Sequence, residues 1–153
     1  MTKDVLVSVR GLQFADNDVK ESASDEELEK IETICPGQYY LKNGAHYILY
    51  EEIVEGYNEN IKNMIKVRDK EFILTKKGPI SVQMSFNEGK KTMTDYITPF
   101  GNILIAIDTK KIEIEEKEDR LHIFIKYGLE ANYQFLSDCE IDITVQSKNH
   151  ISK

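Results

Sequence analysis

Alanine is scarce in this chain, and long apolar runs are missing. Five alanines stand against nineteen isoleucines and eight valines in 153 residues, a composition that suits a pleated, half-buried surface and argues against long helices. No stretch approaches the roughly 18 consecutive apolar residues of a membrane-spanning helix. Met1-Thr2-Lys3-Asp4 passes straight into Val5-Leu6-Val7, without the basic and apolar regions of a secretory leader. A soluble, cytoplasmic chain is therefore expected, with no membrane partner.

Cysteine occurs twice, as Cys35 and Cys139, far apart and with no CxxC or Cys/His spacing. Neither a zinc site nor a disulfide framework is expected from such a pair. His46, His122 and His150 form no HxH or HExxH pattern, and no GxSxG, Walker or GxGxxG motif occurs. Metal, cofactor and motif-based catalysis thus have no foothold, and a non-enzymatic protein is expected. Positive charge is outweighed by negative, giving a net charge of -7. That balance disfavours strong non-specific attachment to nucleic acid or to an anionic membrane surface.

What the chain does have is alternation. Ile112 and Ile114 alternate with Glu113 and Glu115; Leu121, Ile123, Ile125 and Tyr127 with His122, Phe124 and Lys126; Cys139, Ile141, Ile143 and Val145 with Glu140, Asp142, Thr144 and Gln146. A period of two places one set of each on a buried sheet face. Val5, Val7 and Val9 give a first strand whose faces are harder to assign, because Leu6 is also apolar.

Turn chemistry recurs about every ten residues, the spacing of an antiparallel barrel or sandwich. Lys42-Asn43-Gly44-Ala45 predicts a type I′ hairpin between strands at 38–41 and 46–54. Asn87-Glu88-Gly89-Lys90 and Thr98-Pro99-Phe100-Gly101 fit type I turns. Residues 15–30 hold seven acids and few apolar side chains, which marks an acidic mobile connection, with capping-box spacing at Ser24 to Glu27. A short polar tail is expected at 147–153.

With no helical crossovers available, the reading is one all-β domain over 1–153, an antiparallel up-and-down barrel of about 8–10 strands. Closure removes exposed edges; an open sandwich is the alternative.

Four segments carry a resemblance: Val5 to Gly11, Pro36-Gly37-Gln38-Tyr39-Tyr40-Leu41-Lys42-Asn43-Gly44, Tyr47-Ile48-Leu49-Tyr50-Glu51-Glu52 and Tyr96-Ile97-Thr98-Pro99-Phe100-Gly101. In order and spacing the chain resembles the YwiB-like family of uncharacterised bacterial proteins, from its first strand to Ile143. The resemblance implies a calycin, lipocalin-like barrel with room for a small molecule, and it supplies no catalytic residues. Lys76-Lys77-Gly78 stands where the family pattern leads one to expect an arginine ahead of the glycine. Lysine keeps the charge but lacks the planar fork for bidentate anion contacts.

Two functional surfaces follow. The strand from Tyr47 to Val54 bears a carboxylate on each face, Glu52 with His46, Ile48 and Tyr50, and Glu51 with Tyr47 and Leu49. In a barrel one of the two faces inward and needs a partner, for which Arg10 and Lys76 are the candidates. Arg10, Tyr40, Tyr50, Glu52, Met84, Tyr96 and Tyr127 are then the expected lining of a pocket for a small, partly apolar molecule. The competing reading is an interior filled by side chains alone. The second surface is an outer face on which Lys62, Lys66 and Arg68 flank Met64, followed by Lys70, Lys76, Lys77, Lys90 and Lys91. It would suit a protein partner or an RNA backbone, although edge-strand lysines also block unwanted pairing. No aromatic residues are interleaved for base stacking, which counts against RNA.

Overall fold

The computed structural model describes residues 1–11, 32–53, 56 and 58–148. The expected connection at 15–30, its capping box, Val54 and the tail beyond Lys148 lie outside the described residues.

Among the described residues ten strands follow one another: β1 (Asp4–Arg10), β2 (Glu32–Lys42), β3 (Ala45–Glu52), β4 (Ile61–Arg68), β5 (Glu71–Lys77), β6 (Val82–Asn87), β7 (Lys91–Thr98), β8 (Gly101–Lys117), β9 (Arg120–Ala131) and β10 (Gln134–Ser147). They form one antiparallel sheet in the order β6-β5-β4-β3-β2-β1-β10-β9-β8-β7. Consecutive strands thus pair with each other, except β6 and β7 at the two ends of the order, and the first strand also pairs with the last, Val5 opposite Ser147. The sheet curls until β6 and β7 meet at a seam, leaving a nearly closed barrel.

The seam has a cause in the register. Inward positions are even-numbered on both β6 (Val82, Met84, Phe86) and β7 (Thr92, Thr94, Tyr96). Asn87-Glu88-Gly89-Lys90 closes a tight turn, the Lys90 amide donating to the Asn87 carbonyl, and that register sets an even residue opposite an odd one. Opposed residues on antiparallel strands must share a face, so the ladder cannot propagate from this turn. A single bridge, Ser81 with Ile97, restores the correct phase. Between them the Thr92 hydroxyl donates to the Ser85 carbonyl. The turn itself departs from the type I expectation: Gly89 at its third position has φ 80°, the type II arrangement that favours glycine.

The Asn43-Gly44 turn has φ of 53° and 78°, the paired left-handed conformations of the expected type I′ hairpin. Inside the barrel, Ile48, Ile65, Ile107, Ile112, Ile123, Ile125, Ile141 and Ile143 are wholly buried. Phe72, Phe86 and Tyr127 stack edge to face, with centroids 5.5 and 5.1 Å apart. Each such pair adds about 0.5–1.5 kcal/mol beyond its area. The middle of the barrel is therefore occupied by packed, fully buried side chains.

Candidate functional site

Register places one polar row across the inner wall. Gly37 of β2 is opposite Tyr50, Tyr50 opposite Asn63, and Asn63 opposite Lys76. Glu52 lies two residues from Tyr50, toward the barrel end that also carries the β5–β6 and β7–β8 connections. The Lys76 ammonium donates to Glu52 Oε1 and, at 3.0 Å, to Asn63 Oδ1, while Asn63 Nδ2 donates to the same Glu52 oxygen at 2.8 Å. Three side chains on three adjacent strands thereby close a triangle.

Burial makes the triangle costly. The Lys76 side chain is 8% exposed and Glu52 32%, and Asn63 is 2% exposed. A charge at such depth needs both a counter-ion and hydrogen bonds, and here it has both. Gly37 leaves room for the row: a Cβ there would lie 2.7 Å from the Leu49 carbonyl oxygen and 2.8 Å from a Val7 methyl.

Around the carboxylate stand neutral donors. Burial first, and then the negative charge of Glu52, push up the Tyr50 phenol, the Tyr96 phenol and the Cys35 thiol. All three keep their protons at neutral pH. Cys35, Tyr96 and Thr98 face inward yet are only half-buried, and inward-facing Ile103 is 37% exposed. Among the described residues this end of the lumen is therefore less closely packed than the middle, a mouth toward which the Glu52–Lys76 pair lies.

The sequence candidates separate into groups. Tyr50, Glu52 and Tyr96 come together at the mouth, and Lys76, named as a partner for Glu52, is its partner. Met84 and Tyr127 also point inward, but at 0% and 3% exposure they lie in the packed middle and line no opening. Arg10 and Tyr40 face outward, contrary to the expectation of a lumen position. Val5, Val7 and Val9 take the inner face of β1, which leaves Arg10 outside, and of the adjacent tyrosines it is Tyr39 that turns in. Asn63 was missed, although a polar residue among Ile61, Ile65 and Val67 on the inner face of β4 was a readable signal.

Lys62, Lys66 and Arg68 stand on the outer face of β4 with Met64, which is 40% exposed. The Lys66 ammonium sits 5.8 Å above the Tyr47 ring. Lys76 is not part of that stripe, since it points into the barrel. Among the described residues no group of three or more His, Cys, Asp or Glu side chains could hold a metal ion. Both cysteines are free thiols.

The model of the family described as "Domain of unknown function (DUF1934)" matches residues 17–143. The chain belongs to the DUF1934 family. Over 126 residues this DUF1934 chain is 26% identical to the "Uncharacterized beta-barrel protein YwiB" of Bacillus subtilis (strain 168), covering 82% of this chain and 87% of that protein. The crystal structure of the ywiB protein from Bacillus subtilis superposes with a TM-score of 0.74 at 21% identity, over 95% of this chain and 92% of that one. The DUF1934 chain thus shares its barrel with a solved relative.

Proposed function

We propose that this protein is a non-enzymatic, cytoplasmic binding protein that takes a small, partly apolar molecule into the mouth of its barrel. The observation that carries this reading is the Glu52–Asn63–Lys76 triangle at inward positions. Sealing one end of a barrel needs only aliphatic side chains, and replacing buried ion pairs by apolar groups is often neutral or stabilising. A guest that hydrogen-bonds to Glu52 while resting on the Tyr96 ring and Ile103 would account for keeping the charges. Two free, half-buried thiols suit a reducing compartment.

Native mass spectrometry of the chain purified from its own host tests the reading. A discrete added mass on the wild type, lost in Glu52→Gln, is the expected result. A bare wild-type mass, or an adduct retained unchanged by Glu52→Gln, would refute it.

A second reading uses the outer face of β4. Exposed Met64 lies beside exposed Leu49 on β3 with Lys62, Lys66 and Arg68 around them, an apolar centre with a cationic rim that suits an acidic protein partner. Reversing all three charges should abolish capture of such a partner, and undiminished capture would dismiss it.

A further inference from the structure

The opposite end of the barrel is built differently. There a cleft of about 680 Å³ lies between the ends of β2 and β8 and residues 1–3, a size within the range of small-molecule sites. Its walls are aromatic and acidic: Tyr39, Tyr40 and Leu41 on one side, Glu116 and Glu118 on the other.

Beneath it lies a buried hydrogen-bonded pair. The Tyr39 phenol, held protonated by burial and by the nearby Glu116 charge, lies 2.6 Å from His46 Nδ1. Nε2 faces Glu116 Oε2 at 3.7 Å. His46 is buried and forms part of the base of the cleft, over which the Glu116 side chain stands 58% exposed.

One cation already uses this wall. The Lys3 ammonium sits 5.5 Å from the centroid of the Tyr40 ring, within the range of a cation–π contact. The other lysine of the cleft, Lys117, is paired with Glu115 at 3.3 Å. The remaining lysine of the cleft, Lys3, is exposed, within a chain of net charge -7.

We infer that this cleft is a second binding site, for a singly charged organic ammonium with an apolar body. The ammonium would lie against Glu116 and the Tyr40 ring, in the place the Lys3 head group now takes. The apolar body would rest on Leu41 and Met1, whose side chain is half-buried against the core. The site is separate from the Glu52 mouth and does not depend on it.

Isothermal titration with phenethylamine, against phenylacetate as the anion of similar size, tests the inference at neutral pH. Phenethylammonium should bind at least about tenfold more tightly than phenylacetate. Glu116→Gln should weaken it about three- to fivefold, the scale of a partly exposed ion pair. Lys3→Ala should tighten it by a similar factor by vacating the ring, and Tyr40→Leu should weaken it about threefold. Lys3 and Glu116 are surface side chains, so these variants keep the fold, which circular dichroism verifies. No binding of phenethylammonium, equal or tighter binding of phenylacetate, a loss of affinity in Lys3→Ala or no change in Glu116→Gln would each overturn the proposal.

Discussion

Removing the Lys76 ammonium is the sharpest test of the inner polar triangle. Lys76→Met keeps the aliphatic stem in its place and deletes the charge, leaving Glu52 with Asn63 Nδ2 at 2.8 Å and with solvent. Breaking a fully buried pair costs about 3–5 kcal/mol, whereas an exposed pair is worth about 0–1 kcal/mol. Lys76 is nearly sealed, but Glu52 is one-third open, which puts the loss near 2 kcal/mol. For a domain of this size that lowers Tm by about 4–8 °C. Glu52→Gln in the same background removes the orphaned charge, so the double variant should recover at least half of the loss. Urea denaturation of the wild type, both single variants and the double gives the coupling directly. A Lys76→Met cost below about 0.5 kcal/mol, or a double variant as unstable as the sum of the singles, would show that burial of the pair has been overestimated.

Tyr39, Tyr50, Tyr96 and Tyr127 all have phenols raised above their ordinary value, burial being the first cause in each. Their folded pKa values exceed the unfolded one, so their contribution is complete below about pH 10 and is lost as pH rises beyond it. Absorbance at 295 nm should therefore show Tyr50 and Tyr127 ionising only together with unfolding and Tyr39 and Tyr96 ionising later than exposed tyrosines, and smooth ionisation of all eight tyrosines in a folded chain would contradict this. Gly37→Ala should cost about 1–3 kcal/mol in urea, because the added methyl meets backbone oxygen at 2.7 Å; an unchanged midpoint would mean that the wall yields. Iodoacetamide should alkylate Cys35 more slowly in the native chain than in urea, and Glu52→Gln should narrow the gap by removing a charge that holds the thiol protonated. Mass mapping of the alkylated peptides reads both rates, and equal rates in the native and unfolded chains would argue against it.

Alternation made most of the barrel legible. The inner faces of β9 and β10 follow directly from runs such as Leu121, Ile123, Ile125 and Tyr127, and Asn43-Gly44 marked its hairpin because few other dipeptides accept two positive φ angles. The same logic put Glu52 on the face of Ile48 and Tyr50 and named Lys76 as a possible partner. It failed where both parities look alike. Tyr39-Tyr40 offers no contrast between faces, and neither does the Val5-Leu6-Val7 start that fixes Arg10. The filled middle was illegible for another reason: whether Met84 and Tyr127 touch a guest or Phe86 depends on how far the wall curves, which no local pattern encodes. The seam was hidden by its turn, since Asn87-Glu88-Gly89-Lys90 looks like an ordinary hairpin until the parity of both flanking strands is compared.

The pairing of β1 with β10 shapes how the molecule comes into being on the ribosome. Once β2 has docked, β1 shows a row of unpaired amides and carbonyls on its other side, and the strand that covers them is the last of the ten to be synthesised. At roughly 5–20 residues per second that wait lasts on the order of ten seconds, a period in which the nascent sheet has a sticky edge. A chaperone that shields this edge, or slow codons upstream of β10, would change the yield of soluble protein without altering any contact in the finished barrel.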